Sequence, residues 1–237
     1  MSNRSPPRAP GPASRPRRVL QQRVRIIGGH WRRRQLSFPA ADDLRPTPDR
    51  VRETVFNWLG QDLHGLRCLD LFAGSGALGF EAASRGAERV VMVEQDPRIG
   101  RALDACCAEL GTPPSGTRIE IVKADARRFL EREAKQAAVH ADHGYDVVFL
   151  DPPFRLGLLP ALLPLVETCL APGGWIYVEA PAALPGEAGV LDEIGGSPPW
   201  TTIRHARAGA VEYRMLARRA DLQPDGNPDS LAAGDSS

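Results

Sequence analysis

Apolar and polar positions alternate in short blocks along most of the chain, and the period changes from block to block. Residues 23–38 alternate apolar with basic side chains on either side of Gly28-Gly29, which predicts a short β-hairpin. Next comes Arg45-Pro46-Thr47-Pro48, followed by Val51, Val55, Trp58 and Leu59 at helical spacing. Thr47 can cap a helix and Pro48 suits its first position, so the spacing predicts an amphipathic helix over 48–59. From residue 67 short apolar runs take turns with helical patterns. Strands are predicted at 67–72, 89–94, 118–123, 145–150 and 175–179, and helices at about 77–85, 98–110, 126–138 and 157–170. Such alternation predicts an α/β fold with a mainly parallel sheet covered on both faces. A last pair of runs, 201–207 and 210–217 around Ala208-Gly209, predicts a closing antiparallel hairpin.

Outside these blocks the composition changes. Residues 1–20 are largely Pro, Arg, Ser and Ala, and residues 220–237 are similarly poor in apolar side chains, so both ends are expected to be disordered. Between them lie a small hairpin-and-helix unit, 21–60, and the main domain, 61–219, with no internal repeat. No run approaches the roughly 18 apolar residues of a membrane span. The basic N-terminus has no apolar stretch behind it, which argues against a secretory signal. Pro6, Pro7, Pro10, Pro12 and Pro16 would break the amphipathic helix of a transit peptide. A cytoplasmic monomer is the expectation. Cys68, Cys106, Cys107 and Cys169 form no C-x-x-C pair and meet no His cluster, so they are expected to be reduced and structural, with no metal site.

The formal net charge is only +1, but it is unevenly placed. Residues 1–41 hold ten arginines, Arg23, Arg25, Arg32, Arg33 and Arg34 among them, and no acid. Lysine is almost absent, only Lys123 and Lys135, so arginine enrichment alone says little. The absence of acids over this stretch is the informative feature, and it suits a phosphate backbone.

Two loops carry candidate chemistry, both at the carboxyl ends of predicted strands, where open α/β sheets bind ligands. The first is Asp70-Leu71-Phe72-Ala73-Gly74-Ser75-Gly76-Ala77-Leu78-Gly79, a strand end, a glycine turn and a helix start. Its G-x-G-x-x-G spacing, with Glu94 at the end of the next strand, would also suit a dinucleotide. Asp70 separates the readings: a carboxylate inside the strand end suits the ammonium of a methionine moiety better than a pyrophosphate. Glu94, followed by Gln95, can accept from a ribose diol. Asp125, followed by Ala126, either contacts an adenine amine or caps the next helix. The second loop is Asp151-Pro152-Pro153-Phe154. Two prolines supply no N–H, so this wall offers only acceptors, the Asp151 carboxylate and the Pro152 carbonyl. Such a wall fits an incoming amino group, and Phe154 offers a flat face for a base.

With these residues in place, Phe72–Gly76 and Asp151–Phe154 resemble the cofactor and catalytic loops of amino-methyltransferases. Over residues 23–218 the chain resembles the bacterial family that methylates a guanine N2 of small-subunit (16S) ribosomal RNA. The run from Arg45 to Leu59 and the run from Leu69 to Gly79 are the most specific parts. The resemblance implies a Rossmann-like class I methyltransferase fold with a seven-stranded sheet. It implies S-adenosyl-L-methionine held around Asp70, Phe72, Ala73, Gly74, Ser75, Gly76, Glu94, Gln95, Asp125 and Ala126. It also implies ribosomal RNA in a small subunit or its assembly intermediate as partner. Arg23, Arg32, Arg33, Arg34, Arg45, Thr47 and Arg50 are the expected RNA contacts, and Trp31 is open to stacking on a base or packing in the core. For Arg50 and Arg52 a solvated helix face is the alternative. The acceptor-only loop fits DNA adenine-N6 or protein glutamine methylation equally well. A non-catalytic RNA-binding assembly factor would not need the intact Asp70, Gly74, Gly76, Glu94 and Asp151, and a nicotinamide oxidoreductase is a more distant reading.

Overall fold

The computed structural model describes residues 21–40, 47–113, 116–137, 144–154, 157–183, 189–196 and 199–222. Most of the arm and the tail expected at the two ends, and Arg45, lie outside them.

Two sheets form. β1 (Gln21–Arg25) and β2 (Gln35–Pro39) pair antiparallel, joined by the segment that contains Gly28-Gly29. The other seven strands are β3 (Arg67–Asp70), β4 (Arg89–Glu94), β5 (Arg118–Lys123), β6 (Tyr145–Leu150), β7 (Leu170–Pro181), β8 (Trp200–Ala208) and β9 (Val211–Arg218). They lie in the order β5-β4-β3-β6-β7-β9-β8. The first five are mutually parallel, and β9 and β8 close the sheet antiparallel. The helices are α1 (Asp49–Leu59), α2 (Ala77–Ser84), α3 (Pro97–Leu110), α4 (Ala126–Ala137), α5 (Leu159–Cys169) and α6 (Val190–Gly196). This is the α/β arrangement that the pattern predicts.

Both faces of the parallel strands are apolar because both are covered. On one face Cys68, Val90, Met92, Val147, Phe149 and Tyr177 pack with α1, α2, α3 and the β1–β2 hairpin. On the other, Leu69, Val91, Val93, Val148, Leu150 and Val178 pack with α4 and α5. The N-terminal hairpin and α1 therefore share a core with the main sheet. Trp31 belongs to that core at 2% exposure, so it packs and offers no stacking face to a base.

Boundaries differ from expectation in three places, each with a local cause. β7 begins five residues early, at Leu170. Ala171-Pro172-Gly173-Gly174, which reads as a turn, is absorbed by a register shift against β6 between Tyr145 and Val147. α6 was not predicted; it is short and mixed in character. The tail starts later than residue 220: Arg219–Asp221 form one 3-10 turn, and the Asp221 carboxylate accepts from the Gly173 N–H at 3.0 Å.

Candidate active site

The strand order places the two candidate loops side by side. β3 pairs with β4 on one side and with β6 on the other, so the chain moves outward in opposite directions from β3. The crevice at that reversal is where α/β sheets take ligands. The glycine loop leaves β3 there, and Asp151-Pro152-Pro153-Phe154 leaves β6 beside it.

The glycine loop is built by its backbone. Leu71 N–H donates to Phe149 O at 3.1 Å and Ala73 N–H to Val93 O at 2.9 Å, so β3 runs on between its neighbours. The chain then turns through Gly74 and Gly76, both at positive φ, and Gly76 opens α2. A β-carbon at Gly76 would stand 2.6 Å from the Phe80 ring, so the close approach as well as the left-handed φ calls for glycine. Asp70 lies under this turn at 4% exposure and accepts from Gly79 N–H at 3.0 Å, in the first turn of α2. Glu94 spans the loop: one carboxylate oxygen accepts from Gly74 N–H at 3.0 Å and the other from Asp96 N–H at 2.7 Å. Of the other residues proposed around the cofactor, Ala73, Ser75 and Ala126 are buried, Phe72 is half-buried, and Gln95 is exposed. Asp125 caps α4, accepting from Arg128 N–H at 3.0 Å, and is otherwise exposed.

Asp151 is half-buried, Pro152 is buried, and Phe154, at 39% exposure, is one of two large apolar side chains exposed among the described residues. Behind the loop stands an aromatic stack. Phe56 of α1 meets Phe149 at 5.9 Å, Phe149 meets Tyr177 at 6.2 Å, and Tyr177 meets Tyr213 at 6.1 Å. It fixes the end of β6 against α1 two residues before the catalytic candidate.

A further carboxylate belongs to no motif that would mark it. Glu179, at 5% exposure, follows Val178, the last β7 residue paired with β6, so it stands next to Asp151 across the sheet. Its carboxylate accepts from the Tyr177 hydroxyl at 2.7 Å and from the Thr47 hydroxyl. Thr47 therefore does not cap α1: the helix begins after Pro48 with no side-chain cap, and the hydroxyl goes to Glu179 instead. Only the tertiary pairing reveals the neighbours of Glu179.

Asp70, Glu94, Asp151 and Glu179 form no ion pair with any cation among the described residues. Burial raises all four carboxyls above their ordinary range. Asp70 is pushed up to about 7, by burial first and by the nearby Glu94 second, against the Gly79 N–H that lowers it. Asp151 is raised by burial and then by Glu179 and Asp70. Like charges gathered in low dielectric with no protein counter-charge are destabilising until a cation arrives. Such a set suits a positively charged ligand.

The basic residues fall into two groups. Arg23, Arg32, Arg33 and Arg50 are exposed, as is Arg34, whose guanidinium donates to Glu109 O at 2.6 Å. Arg52 is wholly buried. It bonds to Thr47 O and Arg25 O and pairs with Asp49 and Glu81, so it is structural and has no solvated face. Glu81 of α2, also fully buried, accepts from Ile27 and Gly28 N–H at 2.8 and 2.7 Å, which docks the hairpin turn onto the helix behind the glycine loop. The four cysteines are free thiols; three are buried and Cys107 is half-buried. Among the described residues no three metal-ligating side chains gather, and no helix is long and apolar enough to cross a membrane.

Comparison with known proteins agrees with this geometry. Residues 24–216 match the family described as Conserved hypothetical protein 95. The ribosomal RNA small subunit methyltransferase D of Escherichia coli K12 is 40% identical over 203 residues, covering 85% of this chain and 93% of that protein. The corresponding protein of Haemophilus influenzae is 38% identical over 194 residues, covering 81% of this chain and 92% of it. A solved structure described as a putative methyltransferase from Escherichia coli is 39% identical and superposes with a TM-score of 0.65, covering 84% of this chain and 99% of that one.

Proposed function

We propose, from the premise that this chain belongs to the Conserved hypothetical protein 95 family, that it is an S-adenosylmethionine-dependent methyltransferase acting on the exocyclic N2 of a guanine in 16S ribosomal RNA. The observation that carries the reading is the set of buried and half-buried carboxylates without protein counter-cations around a glycine loop, next to a donor-free proline corner. The cofactor's chemistry fits that set: it has an ammonium, a sulfonium, a ribose diol and an adenine amine. Asp70 would hold the ammonium, Glu94 the diol, and Asp125 would lie toward the adenine, with the amides of residues 73–76 alongside. When bound, the cofactor supplies a methyl group on a positively charged sulfur.

The remaining steps belong to the chain's own residues. The Asp151 carboxylate and the Pro152 carbonyl accept the two amino hydrogens of the base, which aims the nitrogen lone pair away from them. As positive charge grows on that nitrogen, the Asp151 carboxylate stabilises it, and its raised affinity for protons suits it to take the one released. Phe154 would stack on the extruded base, worth roughly 1–3 kcal/mol. The exposed arginines of the β1–β2 hairpin, with Arg50 and Arg45, would track the RNA backbone beside the pocket. The setting is the cytoplasm, where ribosomal subunits are made.

The decisive experiment is mass spectrometry of 16S RNA nucleosides from a strain lacking this chain, followed by treatment of its small subunits with the purified protein and cofactor. N2-methylguanosine should be missing and then restored. Its presence in the deletion strain, or an N6-methyladenine signal instead, would overturn the assignment.

Two further outcomes are expected. Asp70 titrates near 7, above its ordinary 3.8. Its contribution to apo stability is therefore fully present below about pH 4 and is lost as pH rises through 7. A bound ammonium favours the ionised form, so S-adenosylhomocysteine affinity should rise up to about ten-fold per pH unit below 7 and level off above it. Calorimetry between pH 5.5 and 8 checks this, and a flat profile would contradict the role of Asp70. Reversing Arg32, Arg33 and Arg34 to Glu should weaken RNA binding and reduce the salt slope by about 0.7 for each lost phosphate contact, with cofactor binding spared. Equal loss of both would indicate misfolding instead.

A further inference from the structure

The donor-free loop explains how an amine is held but not which base carries it. Guanine N2 and adenine N6 are both –NH2 groups. What differs is the neighbouring ring position: in guanine N1 carries a hydrogen and donates, whereas in adenine N1 is a bare acceptor. A pocket that selects guanine needs a second acceptor beside the one for the amine, fixed so that it cannot turn aside.

Glu179 meets that description. Val178 and Leu150 pair across β7 and β6, so the next residues on each strand, Glu179 and Asp151, stand together at the mouth of the sheet. The Tyr177 hydroxyl and the Thr47 hydroxyl hold the Glu179 carboxylate from the β7 strand and from the segment that leads into α1. Tyr213, also buried, lies opposite Glu179 on β9. No cation among the described residues neutralises it, yet it is 95% removed from solvent. A carboxylate kept there with two single hydroxyl donors still has lone pairs to offer.

Resting on the guanine reading above, we infer that Glu179 is the specificity-determining residue of the centre: its carboxylate accepts the guanine N1–H while Asp151 holds the adjacent amino group. An adenine presented the same way would set its N1 lone pair against this carboxylate, an acceptor facing an acceptor with no water to relieve it. Sites built to receive a donor reject analogues lacking it strongly, because the buried group is left unpaired. Thr47 gains a role from this arrangement. It joins the N-terminal segment to the base-reading carboxylate, a positioning residue acting through Glu179.

2-Aminopurine separates the two functions, since it keeps the exocyclic amine of guanine but has an acceptor at N1. Small subunits are reconstituted with a synthetic RNA segment that carries guanine or 2-aminopurine at the target, and methyl transfer from labelled cofactor is measured. The wild-type chain is expected to favour guanine by about 100-fold or more. In Glu179→Gln the amide can donate to N1, so the preference should fall to within about ten-fold, through slower guanine and faster 2-aminopurine transfer. S-adenosylhomocysteine affinity of the variant, measured alongside, should stay within a few-fold of wild type. A wild-type chain that methylates both bases equally, or a Gln variant with unchanged preference, overturns the inference and leaves the methyltransferase reading standing. If the variant does not fold, equal methylation of the two bases by the wild-type chain still overturns the inference. A wild-type chain inactive on the guanine particle removes the guanine reading and the inference with it.

Discussion

Replacing Asp151 with alanine should reduce methyl transfer by about 10³-fold or more, the combined scale of losing a proton acceptor and a charge-stabilising group. The same change should leave S-adenosylhomocysteine affinity within a few-fold. In the free protein Asp151 is a liability. It is half-buried, finds no cation among the described residues, and is held above its ordinary range by burial and by Glu179 and Asp70. Removing it relieves repulsion on both neighbours. The alanine variant should therefore unfold at the wild-type temperature or a little above it, which is the behaviour of a group kept for function at the expense of stability. Three measurements on one variant test this: turnover on small subunits, calorimetry with S-adenosylhomocysteine, and thermal unfolding without ligand. Near-normal turnover would show that the proline corner does not present the amine. A large fall in unfolding temperature would show that Asp151 is a structural anchor, and the lost activity would then say nothing about chemistry.

How much of this was readable beforehand depends on whether the signal was local. The strands at 89–94 and 145–150 fall where the apolar runs place them, because a strand buried on both faces leaves a continuous apolar block, whereas the edge strand at 118–123 is marked by alternation of apolar and charged side chains. The glycine turn and the Asp-Pro-Pro corner were legible for a similar reason: backbone restrictions are written in the residue types themselves. Residues whose meaning lies in a distant partner were not. Glu81, between Phe80 and Ala82, and Arg52, between Val51 and Glu53, look like ordinary helix-surface charges, yet both are fully buried against each other. Thr47 followed a good local rule for a helix cap and lost to a tertiary competitor, Glu179. Trp31, beside three arginines, could be read either way until the core around it was known. The two loops proposed to hold cofactor and base are thus encoded locally. The layer behind those loops is encoded by long-range pairing of polar and charged side chains.

That long-range layer leads to the second large effect. Glu81→Ala should destabilise the fold by about 3–5 kcal/mol, the range for removing one partner from a buried ionic cluster. The Glu81 carboxylate accepts from five donors at once. They are the N–H groups of Ile27 and Gly28, Arg52 Nη1 at 3.3 Å, and Arg85 Nε and Nη2 at 3.0 and 2.8 Å. Without it, two guanidiniums at 0% and 4% side-chain exposure lose a counter-charge and two backbone donors lose their acceptor. Arg52 keeps Asp49, and Arg85 keeps Gln61 and its place over the Phe56 ring at 4.8 Å, so the cluster is weakened and not emptied. Glu81→Gln should cost less, because the amide oxygen can still serve part of the set. The functional consequence follows from position: Gly76 is the N-cap of α2, so the helix that receives the hairpin turn is the one that begins at the glycine loop. Loosening the hairpin should therefore lower RNA affinity more than cofactor affinity, since Gly76 and Gly79 keep their own contacts. Urea unfolding of the two variants, with RNA and S-adenosylhomocysteine binding measured below the transition, tests the claim. An alanine variant within about 1 kcal/mol of wild type would mean that water reaches the cluster and that the hairpin is held by its apolar packing alone.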